Sequence, residues 1–241
     1  QPEQIFRTYV RPIGIGAIAM AGIIGIIKSS GVIAGAFKLA AGVGSKAHGE
    51  MQVERTQKDL KMSFVMLFIL LTLIATFIFL LLGVKISLVQ ASVALLTILI
   101  ISFLFTTVAA NAIAIVGTNP VSGMTLMTLI LSSAILVSVG LKGWQGMVSS
   151  LIIGGIVCTA LSMAGGFITD LKVGYWLGTT PVKQQTYKFL GTLLSAATVG
   201  IVIYILNDVF GFVATEEHKN PMVAPQANAM AAIIEPLMSG S

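Results

Sequence analysis

Residues 86–141 contain no Lys, Arg, Asp or Glu. A run this apolar cannot cover a water-facing surface. It is also too long for one passage through a bilayer, whose hydrocarbon core takes roughly 20 helical residues. The chain must turn back within it, and Gly117, Asn119, Pro120 and Gly123 mark the place. The rest of the sequence follows the same pattern. Charged residues are only 10% of the 241, against about 25% in soluble domains, and hydrophobic residues are 56%. That balance excludes a soluble globular domain, a disordered segment and a coiled coil. The single Cys158 excludes a disulfide framework and a cysteine-based metal site. The 25 glycines suit closely packed membrane helices.

Hydropathy and length predict spans at about 12–37, 62–84, 86–108, 122–140, 145–168, 188–207 and 222–238. Fully apolar runs do not distinguish helix from strand by period. Length does, because barrel strands need only about 9–11 residues and alternate polar with apolar. These runs are twice that and do not alternate. The expected fold is therefore all-α: a single-domain, polytopic transmembrane helical bundle with broken or re-entrant helices.

The loops set a direction. The linker 45–61 carries Lys46, Arg55, Lys58 and Lys61, with Glu54–Lys58 and Arg55–Asp59 at i,i+4 spacing. It reads as a short solvated cytoplasmic helix. Alternation then places 167–187 inside and 208–221 outside. The first holds Lys172, Lys183 and Asp170, and the second Asp208, Glu216, Glu217 and Lys219, in keeping with the positive-inside rule. The same rule accounts for the net charge of +5 without a nucleic-acid partner. Residue 1 is Gln, no signal peptide follows, and the last residues look like part of another apolar helix. The chain is expected to be an internal piece of a longer membrane protein, with the remainder of that chain as its partner.

No enzyme signature is present. His48 and His218 lie in different loops, and no GxSxG, Walker A or HExxH string occurs. The glycines of GIGAIAMAG (14–22) follow no strand and read as helix-packing positions. Three segments carry polar chemistry. In 106–125, Asn111 and Asn119 stand in an apolar tract, and Pro120 removes a hydrogen-bond donor. This is either a broken helix whose freed ends bind polar cargo or an ordinary loop between two spans. In 168–194, Asp170 and Lys172 stand at a membrane edge. Tyr175 and Trp176 form an interfacial belt, as Trp144 does elsewhere, and Gly178 leads to a helix start at Pro181. In 221–238, Pro221 and Pro225 punctuate an apolar stretch containing Gln226, Asn228 and Glu235. A charge at mid-bilayer costs roughly 2.5–3.5 kcal/mol, so Glu235 is either a proton carrier, a residue near the far interface or one paired with a basic group.

Four strings resemble the oligopeptide transporter family, which includes the yellow-stripe-like metal-chelate transporters. They are RTYVRPIGIGAIAMAGI (7–23), NPVSGMT (119–125), TDLKVGYWLGTTPVKQQ (169–185) and APQANAM (224–230). Family members are considerably longer, so the resemblance covers a middle-to-late part. It implies a secondary transporter in the plasma membrane that imports small peptides or peptide-like metal chelates with protons. It implies no cofactor and no enzyme activity, and the metal would travel bound to its chelator rather than to ligands of this chain. Asn119, Pro120, Gly123 and Met124, with Asn111 nearby, would line or shape the pathway, and Pro225 and Gln226 would mark a second helix break. Asp170, Lys172, Gly174, Gly178, Pro181, Gln184 and Gln185 would form a cytoplasmic signature loop, structural or gating. Glu235 is a candidate on its chemistry alone. The competing expectation is a passive channel or a non-transporting scaffold subunit.

Overall fold

A computed structural model of the chain describes residues 54–117, 121–212, 221–222 and 225–239, with Thr215 and scattered positions between 5 and 35. These residues form six α-helices and, among the described residues, no strand: α1 (Met62–Leu82), α2 (Leu88–Val116), α3 (Val121–Ser138), α4 (Gly143–Leu177), α5 (Pro181–Phe210) and α6 (Pro225–Ser239). The architecture is all-α. Helices α1, α2, α4 and α5 are long and apolar enough to cross a membrane. Much of the expected span 12–37 and most of the linker 45–61 lie outside the described residues; the described positions within 12–37 are helical.

Local chemistry sets the helix ends. At the start of α2 the Ser87 hydroxyl accepts from the Gln90 N–H at 3.4 Å, and the Gln90 side chain accepts from the Ser87 N–H at 3.1 Å. This reciprocal pair satisfies two N–H groups that the helix cannot. Gly117, at φ 76°, ends α2 in the left-handed conformation that glycine adopts without steric cost. The α3–α4 turn uses Gly140 and Gly143, also at positive φ. It sits beside the α1–α2 connection, where the Gln145 amide donates to the Lys85 carbonyl at 3.4 Å.

The core lies between α2, α3, α4 and α6. Helix α3 packs most extensively on α4, then α2 on α4 and α3 on α6. Phe105, Leu129, Leu136, Ile153, Leu161, Ile234 and Met238 are all buried there. Two glycines of α4 permit close approach. A Cβ at Gly154 would lie 2.5 Å from Leu129 Cδ2, and one at Gly146 would lie 2.9 Å from the Met238 sulfur. Helices α1 and α5 are peripheral. Leu80 is the one buried residue of α1, and α5 has none among the described residues.

The structure corrects three expectations. Asn111 does not sit in a broken segment, because α2 runs unbroken to Val116. The signature loop is not a loop, because α4 continues to Leu177 and α5 begins at Pro181. Charges at 170 and 172 mark where side chains turn polar, but backbone hydrogen bonding carries the helix past them. Finally, the described part of the linker is not a solvated helix paired along its own face. It holds a single 3₁₀ turn, Arg55–Gln57, and its charges go elsewhere.

Candidate functional site

Helix α4 ends in a Schellman motif. The Thr179 N–H donates to the Gly174 carbonyl at 2.9 Å and the Gly178 N–H to the Tyr175 carbonyl at 3.2 Å. Gly178 supplies the left-handed residue at φ 67°. Pro181 then opens α5 at its first position, where a missing N–H costs nothing. Seven of the positions singled out from sequence thus surround one tight turn. The Gln184 amide lies against Gly174, which has no side chain to obstruct it, and donates to the Asp170 carbonyl at 3.2 Å. Lys188 of α5 pairs with Asp170 of α4 at 2.6 Å. The two side chains are 32% and 54% exposed, so the pair is worth only about 0–1 kcal/mol. Lys172 lies 5.5 Å from the ring centroids of both Tyr175 and Trp176.

The linker is strapped across this turn. The Arg55 guanidinium donates to the Gly178 carbonyl at 2.9 Å and to the Thr180 hydroxyl at 3.5 Å. The Lys58 carbonyl accepts from the Val182 N–H at 3.0 Å. The Gln185 amide completes the contact, accepting from the Leu60 N–H at 2.7 Å and donating to the Asp59 carboxylate at 2.8 Å. Arg55 therefore meets the negative, C-terminal end of α4, the Lys58 carbonyl takes an N–H in the first turn of α5, and Asp59 is held by the Gln185 side chain. Each charge at a helix end contributes about 0.3–1 kcal/mol at an exposed position. The expected Arg55–Asp59 pair gives way because Arg55 takes a carbonyl at the end of α4 and Asp59 takes the Gln185 amide. Beneath the strap, Phe64, Phe68 and Phe189 form a ring ladder with centroids 4.6 and 5.2 Å apart. Each exposed hydrogen bond contributes only about 0.5–1.5 kcal/mol net, so the strap is held by a few kcal/mol in all.

A second polar cluster lies in the core. Ser150 of α4 bonds to Ser132 at 3.0 Å and to Ser133 at 2.8 Å, both on α3. All three are fully buried. Sequence reasoning missed them, although paired serines at 132–133 and 149–150 in apolar helices were the available signal.

The pathway candidates do not converge in the same way. Asn111 is exposed on α2, Met124 is buried in the core, and Glu235 is on the exposed side of α6. Gly123 lies in the first turn of α3, and Pro225 and Gln226 open α6. Asn119 and Pro120 fall outside the described residues.

A protein of Haemophilus influenzae named "Putative oligopeptide transporter" is 24% identical to the chain over 257 residues. The alignment covers 95% of this chain and 40% of that relative, so the chain spans about two fifths of the relative's length. No solved structure matches. The family model for the OPT oligopeptide transporter protein matches residues 1–241, the whole of the chain. With its long apolar helices, this portion is part of an integral membrane protein, and the chain belongs to the OPT oligopeptide transporter family.

Proposed function

We propose that the full-length protein is a secondary active transporter of the plasma membrane that imports small oligopeptides together with protons. The match of the family model across the whole chain carries this reading. Peptide-like metal chelates are the second cargo class, with the metal held by its chelator. The protein is not an enzyme and uses no cofactor; the proton is its coupling ion. Transport follows alternating access, in which groups of helices rock about a central site formed with broken helix ends. One such break is assigned to the string NPVSGMT (119–125), which carries Asn119, Pro120, Gly123 and Met124, while Asn111 lies within the continuous helix α2. Pro225 and Gln226 at the start of α6 form the second. The strap and the turn it crosses face the cytoplasm. Glu235 is the proton carrier. An ionised Glu facing hydrocarbon costs roughly 2.5–3.5 kcal/mol, so the exposed side of α6 that bears it is turned to water or protein rather than lipid.

The test is uptake by the reconstituted full-length protein. Labelled di- to tetrapeptides and an iron chelate are followed with and without an inward proton gradient. Gradient-dependent accumulation that collapses with a protonophore is expected. Flux without accumulation would favour a passive channel. No flux of either cargo through well-folded protein would overturn the transport reading.

A further inference from the structure

We propose that residues 55–60 form a releasable latch. It locks α1 to the α4–α5 turn, and its release frees the cytoplasmic end of α1 to move against α5 during transport. The inference rests on the transporter reading for its purpose and on the geometry for its existence. Three observations point the same way. First, five hydrogen bonds join the strap to the turn, and all involve exposed or half-buried groups that water can replace. Second, the other contacts of the two peripheral helices at this end, among the described residues, are made by exposed or half-buried groups: Phe68 with Phe189, and Lys188 and Gln184 with Asp170. The one buried residue of α1, Leu80, lies near its opposite end, and α5 has no buried residue among those described. Third, an open surface cleft of about 320 Å³ lies beside the strap, lined by Phe64, Phe68, Phe189, Leu60, Lys61 and Thr186.

In the turn itself the Thr179 hydroxyl is buried without a partner among the described residues. An arrangement held by replaceable bonds is suited to switching. Its parts are specific. Arg55 reaches the negative end of α4 while Asp59, four residues on, is held by Gln185 of α5. Gln185 reads the strap twice, through its carbonyl oxygen and its amide nitrogen.

The experiment uses the full-length protein in proteoliposomes with Cys158 replaced by Ser. Lys58→Cys and Val182→Cys are introduced together, because the two backbones meet at 3.0 Å. The pair should form a disulfide on mild oxidation, lower peptide uptake at least tenfold, and recover on reduction, while equilibrium peptide binding is retained. Equal uptake in the oxidised and reduced states of the cross-linked protein would overturn the latch. A second arm does not depend on uptake. Trypsin needs the Lys58 carbonyl, which the Val182 N–H occupies in the closed strap. Arg55→Ala with Gln185→Leu should speed cleavage after Lys58 at least fivefold over the parent protein. Cleavage at the parental rate would overturn the latch even if the protein transports. Faster cleavage in a protein that transports nothing would uphold the latch and reject the transporter reading instead.

Discussion

Gly154→Ala sets two known effects against each other at the most extensive helix contact in the structure. Replacing a mid-helix glycine by alanine is worth about 1 kcal/mol in favour of the helix. The added Cβ, however, would lie 2.5 Å from Leu129 Cδ2 and 3.2 Å from Leu129 Cγ. Leu129 is only 1% exposed, so it cannot swing into open space. Overpacking of this kind costs typically 1–3 kcal/mol. The neighbouring glycine supplies the control, because a Cβ at Gly155 meets nothing within 4 Å. The helix-propensity gain is common to both substitutions and cancels in the comparison. Gly154→Ala should therefore be less stable than Gly155→Ala by about 2 kcal/mol, near a thirtyfold change in the folded-to-unfolded ratio. Equilibrium unfolding of the full-length protein in mixed micelles measures the difference. Leu129→Ala added to Gly154→Ala should cost less than the sum of the two, since it removes the clash. Equal stability of the two alanine variants, with strict additivity at Leu129, would refute the close α3–α4 approach.

Ser150→Ala should destabilise the same interface by about 1–2 kcal/mol. Interhelical hydrogen bonds in membranes average about 0.6 kcal/mol, and the Ser133 hydroxyl is left buried and unpaired. Adding Ser133→Ala should then change little, as a double-mutant unfolding cycle would show. Gly178→Ala forces a side chain into the left-handed region at φ 67° and should cost about 1–2 kcal/mol, readable as a lowered thermal midpoint. Glu235→Gln should flatten the pH dependence of uptake, and an unchanged profile would remove Glu235 as proton carrier.

The helical character of the chain was legible because lipid leaves few options for a backbone without charges. The turn positions were legible where glycine or proline forced them: Gly117, Gly140 and Pro181 all lie at helix ends. Helix length was less legible. Asp170 and Lys172 end a hydropathy window but not a helix, since one finds Lys188 and the other lies over aromatic rings. The string from Asp170 to Gln185 was recognised as a unit, yet its partner was not. Arg55 and Asp59 stand more than a hundred residues earlier, and their spacing equally fits a pair along one helix. Only the turn they straddle distinguishes the two arrangements. The serines of α3 and α4 escaped for a related reason, because a hydroxyl in an apolar helix usually bonds back to its own turn, as Thr128 does to Met124.

The continuity of α4 has an optical consequence. The chain has two tryptophans, Trp144 and Trp176, and both belong to this one helix, in its first and last turns. They are 76% and 72% exposed. At 1.5 Å per residue the indoles are separated by roughly 48 Å along the axis, close to the headgroup-to-headgroup thickness of a bilayer at about 40–45 Å. One rigid rod therefore carries a fluorophore into each leaflet's interface. Any change in its tilt alters both depths together, whereas sliding along its axis draws one indole inward and pushes the other out.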